Sequence, residues 1–479
     1  MVLLSEARHA FARVLGRADL VLFSVSAVLT IDTLASAASM GMTWFTWWGI
    51  TMALFFLPYG LMTAEMGAAW PGEGGIYVWV REAMGARWGS LAAWFYWINN
   101  AYWTASVYMV FGGTFHTIFL KAHLPSPLRD GAGATWTHTG IAILVTWITV
   151  AIGVVRLDVS KWLPNLGAVV KTAIFLGLGV LGLSSLFQGR PPANDFSPAR
   201  FVPDWGASLV FLPVLLYNAM GFELMSSAGD EMKNPQRDVP RVTLLAGVVI
   251  AIVYTLGVLG ILLAVPLSRL SLVTGTWDAL EVLGRQWGSA GGALVLLLGV
   301  GFLYACVANI VTWSLGVNRV AAAAAAEGSA PAVLARLHPR YDTPYMAFVI
   351  TGVVATALLL GNAALSSRAD NVFWMVFKLS GVCFLVAYLM VFPAFLLLRY
   401  RRPAQPRPYL MPGGMPAAWA ASLLCTAFIA FAILLFFRTA PTAEDPAAAV
   451  RDFWLLLGET LATLAVGLAF LPRIKRRMG

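Results

Sequence analysis

The 479-residue chain reads as an all-α polytopic membrane protein of twelve transmembrane helices, ten of them in an inverted 5+5 repeat with broken helices 1 and 6. Three observations carry that expectation. Hydrophobic residues make up 59% of the chain and charged residues 11%, with a mean hydropathy of +0.76, too few charges to cover a soluble protein of this size. Apolar runs able to cross roughly 30 Å of hydrocarbon recur from Leu20 to Leu471. Two of these runs are interrupted at corresponding places.

The expected segments are 20–44, 48–70, 88–120, 138–155, 162–187, 207–230, 241–265, 290–322, 345–361, 372–398, 415–437 and 452–472. Helix is the default for each, because a span must satisfy its own backbone hydrogen bonds. The termini and even-numbered gaps, with their edges, hold 21 of the 32 Lys and Arg; the odd-numbered gaps hold nine, and Lys171 and Lys378 fall inside segments. That bias places both termini in the cytoplasm, as an even number of spans requires. It also explains the net charge of +9 without nucleic acid, since the basic residues alternate between loops instead of clustering. Ala35-Ser36-Ala37 resembles a signal-peptidase site, but apolar sequence resumes at once through Trp48, so the run is read as a span.

Residues 1–19 then form a cytoplasmic tail, 20–187 the first five-helix repeat, 207–398 the second, 415–472 helices 11 and 12, and 473–479 a second tail. Segment 1 is interrupted around Asp32–Gly41 and segment 6 around Tyr217–Glu223. Five is odd, so the second block enters the membrane in the opposite orientation, and paired breaks point to a midplane site. The bland alternative is that Gly221 and Ala35-Ser36 merely let helices pack closely. Each break, however, also carries an acid. A carboxylate at mid-bilayer costs roughly 2.5–3.5 kcal/mol on insertion scales, so Asp32 should face a cavity and meet a cation or proton.

Five motifs add a family resemblance over essentially the whole chain. They are Ala64-Glu65 through Pro71-Gly72-Glu73-Gly74-Gly75 to Trp79; Gly221-Phe222-Glu223; Asp230 to Pro240; Asn318 to Pro344; and Arg407-Pro408-Tyr409. In that order the chain resembles the amino acid–polyamine–organocation permeases, and within them the glutamate/4-aminobutyrate-type antiporters and plant-type polyamine uptake permeases. The resemblance implies a LeuT-like fold and secondary active transport of amino acids or related amines, cationic and polyamine substrates included. It also implies alternating access in a cell membrane, proton coupling or exchange, and a monomer or homodimer. Two positions depart from the wider pattern. Asp32-Thr33-Leu34-Ala35-Ser36 stands where a Gly-Ser-Gly-like stretch is usual, and Asn309 where the glutamate antiporters have an acid.

Unwound backbone at the breaks would supply ligands for a substrate's amine and carboxylate. Thr33 and Ser36, with Tyr217, Ala219, Gly221 and Phe222, are the expected binding surface, Phe222 doubling as a candidate gate. Asn99, Asn100 and Trp103 of segment 3 and Asn309 and Trp313 of segment 8 would select side chains, interhelical hydrogen bonding being the alternative for the two asparagines. The spacing Asn165-x5-Lys171 is similar to proton-coupled members of the family, in which an ammonium fills the volume that sodium takes in relatives. Low-dielectric surroundings disfavour either charged form, which makes Lys171 and Glu223 the candidates for proton coupling. Snorkelling is the bland reading of Lys171, and a structural role that of Glu223 and Lys378.

Asp32 keeps three readings: ligand of a substrate ammonium, partner of Lys171, or structural acid bonded to freed N–H groups. Glu65 is expected to pair with a basic loop residue. Cys306, Cys383 and Cys425 read as buried apolar residues, and the five histidines as surface residues. No Walker motif, metal-ligand spacing or catalytic triad occurs, so no enzyme activity, metal or cofactor is expected. The short tails argue against a non-transporting nutrient sensor.

Overall fold

The computed structural model describes residues 17–70, 74–155, 162–203, 205–224, 235–438 and 446–471. Outside them lie Pro71-Gly72-Glu73, Arg156, Lys161, the first five residues (230–234) of the motif from Asp230 to Pro240, and the basic residues at 473–477. The described residues are helical and contain no strand. In chain order the helices used below are α1 (Arg17–Val28), α2 (Leu34–Ala38), α3 (Thr43–Ala69), α4 (Gly75–Met84) and α5 (Ala86–Phe115). They continue with α6 (Gly131–Val154), α7 (Trp162–Phe187), α8 (Leu212–Asn218), α9 (Pro235–Ala264) and α10 (Gly275–Gly284). The last are α11 (Gly288–Ala326), α12 (Tyr345–Leu365), α13 (Ala369–Arg401), α14 (Gly414–Phe436) and α15 (Pro446–Ala469).

Among the described residues nine helical stretches are long and apolar enough to cross a membrane. The protein is therefore a polytopic α-helical membrane protein. Two further apolar stretches, Ser24–Ala38 and Ser208–Leu224, are shorter and are the two interrupted segments. Helix α5 is long but less apolar, and nearly all of it is buried, Asn99 and Asn100 included. A helix walled in by other helices need not match lipid.

Helix α5 runs along α13, α11 and α6, and α1 lies between α7, α9 and α11. The α7–α9 contact depends on small residues. A Cβ on Gly260 would fall 2.3 Å from the Leu178 carbonyl oxygen, so the two backbones approach as only glycine permits. In α3 a π-helical turn spans Met52–Phe56 just ahead of Pro58, which lacks the N–H and would crowd the preceding turn of a regular helix.

Several expectations are corrected. The first segment ends at Ala38 and α3 already begins at Thr43, instead of breaking between 44 and 48. The connecting turn is buried, with Met40 3% and Met42 4% exposed, so its residues are as apolar as the helices they join. Helix α6 starts at Gly131 rather than 138, its first turns being small and polar. Two amphipathic helices, α4 and α10, sit in loops where none was expected. Two histidines read as surface residues are buried: His138 Nε2 lies 3.1 Å from His116 Nδ1, joining the end of α5 to α6.

At one end of the bundle Glu65 meets basic residues, as its position suggested. Arg399 forks onto its carboxylate at 3.0 and 2.5 Å, and Arg407 Nε lies 3.3 Å away. The Met411 amide adds a bond of 2.9 Å. At the end of α11, Glu327 accepts hydrogen bonds from Tyr77, at 2.6 Å, and from Arg81, which fixes α4 in place.

Candidate functional site

The first break lies slightly ahead of its expected position. Helix α1 stops at Val28, Thr30 is extended at φ −93° and ψ 106°, and Ile31–Thr33 resumes as a 3-10 turn. Regular pairing is lost for the carbonyls from Ser26 to Thr30, and buried backbone groups must find partners elsewhere. Lys171 Nζ of α7 donates to Ser26 O and Leu29 O, the latter at 2.8 Å. Trp313 Nε1 of α11 donates to Ala27 O at 2.7 Å. The Tyr254 hydroxyl of α9 accepts from Thr30 N at 2.8 Å and lies 3.3 Å from Val28 O.

The third proton of Lys171 goes to Asn309 Oδ1 at 2.8 Å. An ammonium has three donors and no acceptor, so this lysine, fully buried, is saturated by oxygen. Among the described residues no ion pair joins it to Asp32.

The second break follows Asn218 of α8. Gly221 adopts φ +120°, a left-handed conformation that L side chains rarely take, and a Cβ there would lie 3.0 Å from the Trp313 ring. Gly221 N and Phe222 N donate to the Tyr59 hydroxyl at 3.0 and 3.2 Å. Tyr59 in turn donates to Glu223 Oε2 at 2.5 Å, and Tyr96 donates to Oε1 at 2.8 Å. The two breaks meet at one amide: Asn218 Oδ1 accepts from the Thr30 and Thr33 hydroxyls at 2.8 and 2.7 Å.

Gly221→Ala is expected to strain the backbone and press on Trp313, at a cost of about 1–3 kcal/mol. The thermal unfolding of the purified variant measures the loss. An unchanged melting temperature would show that the break tolerates a side chain.

Asp32 lies beside this junction, 1% exposed. Trp103 Nε1 of α5 donates to its Oδ2 at 3.1 Å, while Oδ1 has no partner. Trp103, Tyr217, Phe384 and Trp313 form a closed circuit of rings next to it. Centroid separations in that order are 6.2, 4.9, 5.6 and 5.6 Å.

The other expected residues divide between this junction and its surroundings. Asn99 accepts from Ser380 at 2.7 Å and Asn100 donates to Ser314 at 3.0 Å, both interhelical bonds. Asn99 Nδ2, Asn100 Oδ1, Asn309 Nδ2 and Ser36 Oγ are buried without partners. Ala219 is buried in the second break. Phe222 meets Phe56 and Tyr59 of α3 edge-to-face, at 5.2 and 6.4 Å, rather than the ring circuit. Lys378 is buried in α13, apart from this junction. Sequence reasoning missed Tyr59, Tyr96, Tyr254, Asn218 and Phe384. The only available signal was Asn218 standing inside the second interruption.

An all-helical membrane bundle with two helix breaks joined in one buried polar junction has the makings of a membrane carrier. The chain belongs to the amino acid permease family, within the amino acid–polyamine–organocation superfamily: the family model matches residues 15–458. It is similar to the probable agmatine/putrescine antiporter of Lactococcus lactis, 32% identical over 446 residues, covering 91% of this chain and 90% of the relative. The glutamate/gamma-aminobutyrate antiporter of the same species is 25% identical over 368 residues, with 75% and 71% covered. A polyamine transporter of Oryza sativa is 27% identical over 390 residues, with 80% and 66% covered.

Proposed function

We propose that the protein is a secondary active transporter of amino acids or related amines, working by alternating access and coupled to protons. The observation that carries this is the junction itself. Two interrupted helices, far apart in sequence, share Asn218 beside a buried carboxylate with a free oxygen. In this reading the chain makes twelve spans, residues 20–187 and 207–398 form the inverted repeat, and both termini face the cytoplasm of a cell bounded by this membrane. The rings of Trp103, Tyr217 and Trp313, with Asp32, receive the substrate, and rearrangement at Thr30–Thr33 and Ala219–Phe222 opens the site to either side.

Lys171 supports proton coupling because its three bonds hold the break in the way a bound monovalent cation would. Glu223, bridged by Tyr59 and Tyr96, is the second candidate for the proton. Exchange is the competing mechanism, favoured by the antiporter names of two relatives. Reconstituted protein should accumulate labelled substrate under an imposed inward proton gradient. Uptake that follows sodium and ignores pH would sink the proton claim. Counterflow without net accumulation would identify an exchanger.

A further inference from the structure

We infer that Asp32 sets the substrate class: it is a resident carboxylate that makes the site accept cations lacking a carboxylate and reject their amino-acid parents. This rests on the transporter reading above and deepens it. The first observation is the orphaned Asp32 Oδ1, a buried carboxylate oxygen with no hydrogen-bond partner, whereas the Lys171 ammonium nearby has all three of its protons donated. A buried acceptor left open in a native protein calls for a donor from outside the chain.

The second observation is what surrounds it. The indole that bonds Oδ2 belongs to Trp103, a member of the four-ring circuit with Tyr217, Phe384 and Trp313. Ring faces attract an ammonium or guanidinium and offer nothing to an anion. A cation entering between these rings would gain both the faces and the free carboxylate oxygen.

The third observation is the disposition of the donors a carboxylate would need. Three of the backbone amides at the breaks are already used: Thr30 N by Tyr254, and Gly221 N and Phe222 N by Tyr59. The neighbouring cation, Lys171, has spent its three protons on Ser26, Leu29 and Asn309. An incoming carboxylate would therefore face the Asp32 carboxylate without a hydrogen bond from Lys171. Two like charges about 4 Å apart in a partly buried site weaken binding by roughly 100- to 1000-fold.

The test uses matched probes that differ only by the carboxylate: agmatine with arginine, putrescine with ornithine, and cadaverine with lysine. Each is offered to the full chain in proteoliposome counterflow and in a binding titration followed by tryptophan fluorescence. The native protein should prefer at least one amine over its parent by about 100-fold or more. Asp32→Asn keeps the shape of the side chain and removes its charge, so it should lose that amine by about tenfold or more. A native melting temperature for the asparagine variant guards against a folding defect as the cause of that loss. Native protein that takes parents as well as amines, or an asparagine variant with undiminished amine affinity, would overturn the inference while leaving transport intact. Failure of every probe to exchange would bring down the transporter reading and this inference together.

Discussion

Lys171→Ala protein is expected to lose coupled transport altogether and to unfold at a clearly lower temperature than the native chain. The ammonium donates to Ser26 O, Leu29 O and Asn309 Oδ1. Removing it leaves three buried acceptors open, at about 1–3 kcal/mol each. Several kcal/mol is a large share of the 5–15 kcal/mol that typically separates folded from unfolded protein. The loss falls on the segment from Ser26 to Thr30, whose geometry places Asp32. Lys171→Arg is a useful companion, because a planar fork cannot reproduce three divergent bonds and should also fail. Tryptophan fluorescence melts and counterflow read the two effects separately. Full coupled uptake by the alanine variant would remove Lys171 from the mechanism.

The second large effect is expected far from the junction. Glu65→Ala should destabilise the protein by about 3–5 kcal/mol, the usual consequence of removing one partner from a buried ion pair. The Glu65 side chain is 2% exposed and that of Arg399 6%. Without the carboxylate, Arg399 and Arg407 would share a buried pocket with uncompensated charge, and the Met411 amide would lose its acceptor. The contact joins the ends of α3 and α13 to the segment leading into α14. Substrate affinity in the protein that does fold should therefore stay near the native value. A melting temperature unaffected by the change would mean that water replaces the carboxylate without penalty.

The helices were legible because lipid imposes length and apolarity on whatever crosses it. Helix α7 runs from Trp162 to Phe187, the bounds read from the sequence, since polar and charged residues flank a run that is apolar apart from a few positions such as Asn165 and Lys171. Helices α4 and α10 were not legible. Each is ten residues long, and their buried faces were set by partners that no local pattern reveals.

The site divides in the same way. Asp32, Lys171 and Glu223 stand out because a charge in an apolar run is energetically conspicuous. Tyr59, Tyr96 and Tyr254 are ordinary in such runs, and their importance lies in bonds to residues 127 to 226 positions away. Phe222 looked like a gate from its place beside the break. The direction of its ring, toward Phe56 and Tyr59, depends on how α3 packs.

The closed ring circuit has a thermodynamic consequence. Asp32 and its four aromatic neighbours are each at most 3% exposed, so this conformation offers no path for a solute to reach the free oxygen. Only an opened minority of molecules can capture ligand, and the measured dissociation constant is the intrinsic one divided by the open fraction. Any change outside the ligand's own contacts that lets the edge-to-face contact of Trp313 and Phe384 part more often would then tighten apparent affinity. Selectivity among cations would be unaffected, because it is set at Asp32 after opening, whereas potency overall is governed by how rarely the rings part.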